Sequence, residues 1–364
     1  MRFNKNNHAE TQGSKEKSVT YYSLLATQYF IIAFFVTSCI REIDLPIRVE
    51  QPVLVVDGMI TDEAPPYIVK LTYTGVYKAS NRIDESQTVS GAKVVLSDDQ
   101  GKKATFEQVL EELGKYQITD ASFKGQIGRT YTLTIGLPNG EVYESKPEKM
   151  EAVPAAEQLY SEFTENGGGE QRVGYNIFLD TKDPKGIHNY YRWQTYGYRM
   201  RRATGVLNPL SGIMENKQCW QFFKRDDIDV ETDVDFDGNN IQKRSMIYSP
   251  AYANAPQLIE TSQFSLSREV YQFWKRMNDQ LTRTGSIFDP LPAPVEGNIF
   301  LKSNPNKLAL GYFGASAVSR KRLVIVEGNE AKMQRIEVSS QVFIPTGGCT
   351  LVFPGTTTFK PSGW

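Results

Sequence analysis

The order of apolar and polar residues after residue 51 predicts a chain built mainly from short β-strands. Residues 53–56 form an apolar run that is typical of a buried strand, and residues 67–73 alternate between apolar and polar side chains. Turn-forming residues separate the strands that follow, for example at 98–101 and 138–140. Because no long helical pattern lies between these strands, we predict that residues 52–150 fold as a β-sandwich.

The pattern after residue 150 mixes strands with one clear helix. Strand-like runs occupy residues 174–181 and 190–200, and more follow near the end of the chain. A helix is predicted over residues 268–284, and its apolar positions recur at spacings of three and four: Val270, Phe273, Trp274, Met277 and Leu281. This stripe favours packing into a core, and an exposed face for a partner is the alternative. We predict that residues 151–364 form a second, mainly β domain with one or two helices.

Three segments of the first predicted domain, each beginning with glycine, follow one another in an order that resembles immunoglobulin-like or transthyretin-like β-sandwiches. The segments are Gly91–Val94, Gly114–Tyr116 and Gly128–Leu133. Sandwiches of this kind are common on bacterial surface proteins, where they usually bind a partner or act as spacers. The resemblance therefore implies a binding or spacing module.

The start of the chain has a different pattern, which predicts an export signal. Residues 1–20 are polar with basic side chains, and an apolar stretch follows from Leu24 to Val36. This stretch is shorter than the roughly 20 residues that a membrane span needs. The sequence Val36-Thr37-Ser38-Cys39 resembles the lipobox of bacterial lipoproteins, which implies that residues 1–38 are removed and that Cys39 receives acyl chains such as palmitate. A short hydrophobic anchor that is never cleaved is the alternative.

The residue after the lipobox cysteine bears on the membrane to which the protein is sent. Ile40 stands where the best known inner-membrane retention signal has Asp. We therefore expect a lipid-anchored protein of the outer membrane, exposed at the cell surface, with residues 39–51 as a tether.

Charge and histidine content limit the possible chemistry. The 364 residues contain 41 Lys and Arg against 42 Asp and Glu, so no basic surplus exists to attract nucleic acid. The two histidines are His8, in the segment predicted to be removed, and His188, which a catalytic triad would have to use. The sequence also lacks a nucleophile elbow, a metalloprotease helix motif and a dinucleotide fingerprint. We expect no catalytic residues.

Two cysteines remain in the predicted mature chain. Cys219 and Cys349 lie far apart in sequence, without the close spacing of a zinc or redox motif. In an exported protein an even number of cysteines favours a disulfide between them, and two separately buried thiols are the alternative.

The sharpest local motif is a run of alternating carboxylates. Asp233, Asp235 and Asp237 precede Gly238, as in the first half of a calcium-binding loop, where oxygen ligands suit a hard cation. The twelfth position of such a loop is Arg244 instead of the usual glutamate. This departure favours an exposed acidic turn, and a calcium site at the three aspartates is the alternative.

An aromatic strand near residue 190 suggests a second candidate site. Tyr191 and Trp193, interleaved with arginines, could present a platform of rings to a sugar or a peptide. Since alternate residues of a strand face inward, about half of the rings are expected in the core instead.

Several segments, taken in order, resemble the Bacteroidetes outer-membrane lipoproteins grouped as domain of unknown function 4249. They are Ile43–Pro46, Leu54–Thr61, Val89–Val94, Asn189–Trp193, Gly297–Ile299 and Leu310–Ser316. The resemblance covers nearly all of residues 39–364. It implies an outer-membrane lipoprotein, commonly encoded beside a TonB-dependent barrel that imports nutrients, with no agreed biochemical activity. Among site residues it implies only the lipid attachment at Cys39.

Taken together, these features favour a non-catalytic binding or accessory component of a TonB-dependent nutrient transporter. Its expected partners are the outer-membrane bilayer, through Cys39, and a β-barrel receptor. A surface hydrolase acting on glycans or peptides is one alternative, and a structural assembly factor of the envelope is another.

Overall fold

Strands make up most of the computed structural model, so the predicted mainly β fold is confirmed. Up to residue 150 they are β1 (Leu54–Thr61), β2 (Tyr67–Tyr73), β3 (Lys93–Asp98), β4 (Lys103–Gln108), β5 (Lys115–Ile118), β6 (Thr130–Gly136), β7 (Val142–Ser145) and β8 (Glu148–Lys149). After it they are β9 (Ala156–Thr164), β10 (Gly174–Lys182), β11 (Tyr190–Arg202), β12 (Val206–Leu207), β13 (Met214–Glu215), β14 (Gln218–Lys224), β15 (Asp229–Thr232), β16 (Asn240–Pro250), β17 (Gln257–Ser265), β18 (Ile299–Leu301), β19 (Asn304–Leu308), β20 (Leu310–Ser316), β21 (Val318–Ile325) and β22 (Thr356–Thr357). The helices are α1 (Arg268–Leu281) and α2 (Cys349–Val352), and a 3₁₀ turn covers Asp233–Asp235.

The structure describes residues 51–75, 87–167, 173–251, 255–282, 295–326 and 344–364. The predicted signal peptide, Cys39 and the predicted tether up to residue 50 lie outside these ranges. Among the helices that are described, none combines the length and the apolar character of a membrane span. The chain from Gln51 to Trp364 forms one compact unit.

The first predicted domain contributes most of an eleven-stranded sheet. Its order is β19-β18-β7-β6-β3-β4-β5-β2-β1-β20, with β8 beside β6. Burial alternates along these strands, as in β6, where Tyr131, Leu133 and Ile135 are buried between half-buried threonines. Buried side chains from both ends of the sheet pack into one apolar cluster, because each strand turns one face to the same core.

Three strands of this sheet come from the C-terminal half of the chain. β18 pairs with β7, and β20 pairs in parallel with β1. The parallel pair depends on Gly311, whose φ is +81° and whose Cβ, if present, would lie 2.0 Å from the carbonyl oxygen of Val56. Residues of both predicted domains therefore share this sheet, and the boundary between the domains at residue 150 stays a prediction.

A second core lies between two further sheets. One has the order β21-β17-β11-β14-β22, with β15 beside β11, and the other has the order β16-β10-β9. Their buried residues form an apolar cluster that includes Ile177 and Leu179 of β10, Tyr191 and Trp193 of β11, and Ile259 of β17. β17, which lies between β21 and β11, is buried along its whole length.

The predicted helix is present as α1, which ends at Leu281; residues 283–284 lie outside the described ranges. Ser267 caps its N-terminus by accepting a hydrogen bond from the backbone N–H of Val270. Val270 and Phe273 are buried against Tyr312 of β20, as the core interpretation predicts. Leu281, at the end of the predicted stripe, is exposed, so the stripe does not pack into the core over its whole length.

The predicted disulfide is present. Cys219 of β14 and Cys349 of α2 are joined by an S–S bond of 2.01 Å, and both residues are fully buried. The bridge closes a loop of 130 residues and fixes the C-terminal segment to the edge of the second region.

Candidate functional site

A cleft of about 650 Å³ lies where α1 meets strands of the first sheet. Its walls come from β8, from the N-terminal turn of α1 and from β20, and they carry charged side chains of both signs. Lys146, Arg268 and Arg276 line it together with Glu151 and Glu269. The cleft therefore suits a polar ligand better than an apolar one.

The floor of this cleft holds the buried carboxylate of Glu148, which is 4% exposed. Tyr312 Oη donates to its Oε1 at 2.5 Å, Asn298 Nδ2 donates to the same atom at 3.0 Å, and Ser267 Oγ donates to Oε2 at 2.9 Å. Burial raises the pKa of Glu148 above its usual value, and these three hydrogen bonds offset only part of that rise. Because the donors come from α1, β20 and the segment before β18, the carboxylate also links three parts of the fold.

A second cleft of about 960 Å³ adjoins the first, since both are lined by Glu151, His188, Tyr190 and Leu266. The loop between β10 and β11 forms one of its walls, and Asp183 and Asn189 belong to this loop. His188 is mostly exposed at the junction of the two clefts, with its Nδ1 3.5 Å from Asp233 Oδ1.

The structure changes the membership of the candidate calcium site. Asp233 and Asp237 come together, but their third partner is Asp183, and one oxygen from each of the three lies within 4.8 Å of the others. Asp235 is exposed and lies outside this group, because the 3₁₀ turn at Asp233–Asp235 rotates it away from Asp233. Arg244, at the twelfth position, pairs with Asp229 and Glu231 instead of joining the group.

Sequence reasoning missed Asp183 because it lies 50 residues before Asp233 in another loop. A signal for it exists: Asp183-Pro184-Lys185-Gly186 is itself an acidic turn that ends in glycine. The two turns pack together, since Gly238 N–H donates to Asp183 Oδ2 at 3.0 Å and Gly186 N–H donates to Asp237 Oδ1 at 2.6 Å.

The predicted platform of Tyr191 and Trp193 is not available to a ligand, so that prediction is corrected. The two residues are 1% and 2% exposed, because the alternation of β11 turns both rings into the second core. Tyr191 Oη donates to Asp183 Oδ1 at 2.5 Å, and Trp193 Nε1 donates to Gln263 Oε1 at 3.0 Å. The alternative interpretation, core packing, holds for both.

Rings on the outer face of the same strand do form a cluster. Tyr196 and Tyr198 of β11 contact Phe222 of β14, with ring centroids 5.9 Å and 5.4 Å from that of Phe222. Phe222 is 47% exposed. Tyr196 is held by a hydrogen bond to Glu260, and burial together with this carboxylate raises the pKa of Tyr196 to about 12. The rings of β11 that reach the surface therefore lie on the opposite face of the strand from Tyr191 and Trp193.

Comparisons with known proteins give a family and little beyond it. No curated protein matches the chain. Among solved structures, one similar chain is a DUF4785 family protein from Legionella pneumophila, with 5% sequence identity and a TM-score of 0.22. That match covers 58% of this chain and 52% of the other, so the chain spans about half the length of the Legionella protein. A likeness this weak carries no argument about fold or function.

The family match covers most of the chain. The model described as "Domain of unknown function (DUF4249)" matches residues 40–322, which include strands β1 to β20, α1 and the three clustered aspartates. The chain belongs to the DUF4249 family.

Proposed function

We propose that this chain is an outer-membrane lipoprotein that acts as a non-catalytic binding component of a TonB-dependent nutrient transporter. The observation that carries the proposal is the sequence Val36-Thr37-Ser38-Cys39 at the end of an apolar stretch. The family match begins at residue 40, directly after this cysteine, which supports Cys39 as the first residue of the mature protein. Two or more acyl chains on Cys39 would anchor the protein stably in a bilayer.

The described fold supports a binding role. The cleft at α1 offers charges of both signs around a volume of about 650 Å³, which suits a short peptide or another polar nutrient. The exposed ring of Phe222, with the half-buried rings of Tyr196 and Tyr198 beside it, offers a separate surface on which a sugar or a receptor loop can stack. A protein held at the membrane by its N-terminus could capture cargo on either surface and pass it to a β-barrel.

Acyl labelling in the native host tests the anchor. We expect radiolabelled palmitate to be incorporated into the wild-type protein and lost in Cys39→Ala, which should also leave the membrane fraction. Ser38→Ala is the matched control, because alanine keeps a small residue before the cysteine and should be labelled normally. Equal membrane retention and labelling of Cys39→Ala would contradict the proposal.

Deletion of the gene tests the transport role. We expect slower uptake of the nutrient imported by the TonB-dependent barrel with which the protein is proposed to act, with full recovery when the wild-type gene is restored. Unchanged uptake together with unchanged barrel assembly would remove the accessory role.

One observation favours a second candidate function, a surface hydrolase acting on glycans or peptides. Glu148 is a carboxyl group in a cleft whose pKa burial raises, which is the property that a general acid needs. Glu151 lines the same cleft and could supply the second carboxylate of a glycosidase pair. Release of reducing ends from a glycan by the wild type, but not by Glu148→Gln, would replace the binding proposal with this one.

A further inference from the structure

The three clustered aspartates come from two loops that the sequence separates. Asp183 lies in the loop that follows β10, and Asp233 and Asp237 lie between β15 and β16. Asp183 is 1% exposed and Asp233 is 0% exposed, while Asp237 lies at the surface. Two buried carboxylates and a third nearby oxygen within 4.8 Å repel one another strongly unless an opposite charge joins them.

Uncharged hydrogen-bond donors contact the three carboxylates but do not neutralise their charge. Asp183 accepts from Tyr191 and Gly238, Asp237 accepts from Gly186, and Asp233 Oδ2 accepts from the backbone N–H of Asn189 at 2.7 Å. Each of these donors carries no net charge. Within the described ranges, the only ion-pair partner of the three carboxylates is His188.

His188 is a poor counter-charge for the buried pair. Its Nδ1 is 3.5 Å from Asp233 Oδ1, which exceeds the usual hydrogen-bond range of about 2.7–3.2 Å, and its side chain is 80% exposed. An imidazole also carries charge only when it is protonated. The negative charge at Asp183 and Asp233 therefore stays without a close cation from the described chain.

An independent observation points to a ligand at this place. Asp233 Oδ1 is fully buried and accepts no hydrogen bond. The side-chain oxygens of its neighbours Asn189, which is 9% exposed, and Thr232 are buried and unpaired as well. A buried oxygen without a donor costs about 1–3 kcal/mol, so an unpaired oxygen on a fully buried carboxylate is unusual in a folded protein.

We propose that Asp183, Asp233 and Asp237 bind a divalent cation, and that the cation is calcium. All side-chain atoms available here are hard oxygens, which select calcium or magnesium over the transition metals. Calcium binds oxygen at about 2.3–2.6 Å, so it can bridge ligands up to about 5 Å apart, whereas magnesium at about 2.1 Å bridges no more than about 4.2 Å. A spacing of at most 4.8 Å between the three oxygens is therefore closer to the reach of calcium than to that of magnesium.

The bound ion would join the two loops on one side of the larger cleft. Asp183 and Gly238, one from each loop, both line that cleft. The ion would hold its wall in one position whatever the cleft binds, so this proposal does not depend on the transport function.

The test is calorimetric titration of the full chain, purified in detergent and freed of metal, with calcium chloride at pH 7.5 and constant ionic strength. We expect saturable binding of one calcium per chain and a rise of a few degrees in the melting temperature at about tenfold saturating calcium. Magnesium chloride at the same concentration should give a smaller shift. The weakest extracellular calcium sites have dissociation constants of about 1 mM. If calcium at up to about ten times that concentration gave neither binding heat nor a shift in the melting temperature, the proposal would be overturned.

Variants locate the ion. Asp233→Asn and Asp237→Asn should each weaken calcium binding by about tenfold or more. Asp237 is exposed, so its variant keeps the proposal testable if the buried variant does not fold. Asp235→Asn is the matched control, because Asp235 is an exposed aspartate of the same turn. This variant should bind calcium with an affinity within twofold of the wild type, which is roughly the scatter expected for independent surface sites. Binding that survives Asp237→Asn, or that Asp235→Asn removes equally, would show that the ion does not lie in this group.

Discussion

The two cores of this molecule differ in how many of their buried residues are polar. The core of the eleven-stranded sheet is a cluster of apolar side chains, drawn from strands in which buried and exposed positions alternate. The second region contains β17, in which all nine residues are buried. Six of these nine are polar: Gln257, Glu260, Thr261, Ser262, Gln263 and Ser265.

Hydrogen bonds replace apolar packing in much of β17. Gln263 accepts from Trp193 Nε1 and donates to the carbonyl oxygen of Pro154 and to Thr181 Oγ1. Thr261 shares a hydrogen bond of 3.0 Å with Thr195, and Ser265 Oγ donates to the carbonyl oxygen of Glu151 at 2.6 Å. Each bond requires one particular partner, so the second core is specified by chemistry as well as by volume.

The largest effect is expected from truncation in the apolar core. Phe313→Ala removes a fully buried ring from β20 and leaves a cavity, so the free energy of unfolding should fall by about 3–5 kcal/mol. Urea unfolding followed by tryptophan fluorescence measures it. Phe359→Ala is the matched control, because Phe359 is 82% exposed and its loss should cost less than about 0.5 kcal/mol. A loss below about 1 kcal/mol for Phe313→Ala would mean that this core is not close-packed.

A smaller loss of stability is expected in β17, where an apolar side chain replaces one that forms hydrogen bonds. Gln263→Leu places a more apolar side chain at a fully buried position. Here it leaves Trp193 Nε1 and the carbonyl oxygen of Pro154 without partners, so we expect a loss of about 1–3 kcal/mol in the same unfolding experiment. Gln158→Leu, at an exposed position of β9, should change stability by less than about 0.5 kcal/mol. A stabilised Gln263→Leu protein would contradict the hydrogen-bonded core.

The smallest effect is a difference between two buried glutamates, Glu260 and Glu148, in how their contributions to stability depend on pH. Burial raises the pKa of Glu260, but hydrogen bonds from Tyr196, Arg322 and Arg320 outweigh burial, so that the pKa lies below its usual value. Glu148 has only neutral donors in contact, and its pKa lies above its usual value. The same residue type therefore contributes to stability with opposite sign in the two places.

The sign of each contribution to stability depends on whether the folded or the unfolded state binds the proton more tightly. Ionised Glu260 stabilises the fold above its unfolded pKa of about 4.3, and this contribution is lost as the pH falls through the lowered value. Glu148 contributes most below about pH 4.3, and its contribution is lost as the pH rises through the raised value.

The two glutamine variants turn this difference into a measurement. Relative to the wild type, Glu260→Gln should become less stable as the pH rises from 3 to 6, and Glu148→Gln should become relatively more stable as the pH rises from 4 to 8. Urea unfolding across this range measures both, and parallel pH profiles for the two variants would contradict the assignment.

The contrast between the cores also explains what the sequence could predict. The alternation in residues 67–73 identified β2, and the helical stripe identified α1, because in both places burial follows hydrophobicity. The segment Gln257–Ser265 gave no such signal, since its buried positions are mostly polar and their partners lie up to 114 residues away. A periodicity of apolar residues cannot detect a strand that is buried by hydrogen bonding.

The same limit applies to the candidate sites. The pairing of Cys219 with Cys349 was predictable because only two cysteines remained after Cys39. Asp233 and Asp237 stood out because they share one short motif. Asp183 and Glu148 did not, because their neighbours come from loops and strands that only the fold brings together.

The most direct test of the central claim is isolation of the tagged protein from detergent-solubilised envelope of its native host, followed by identification of everything that co-elutes. The proposed function predicts a TonB-dependent β-barrel in equal stoichiometry, retained in mild detergent and absent from a Cys39→Ala preparation. Elution of the wild-type protein alone, under conditions that keep other receptor complexes intact, would contradict it.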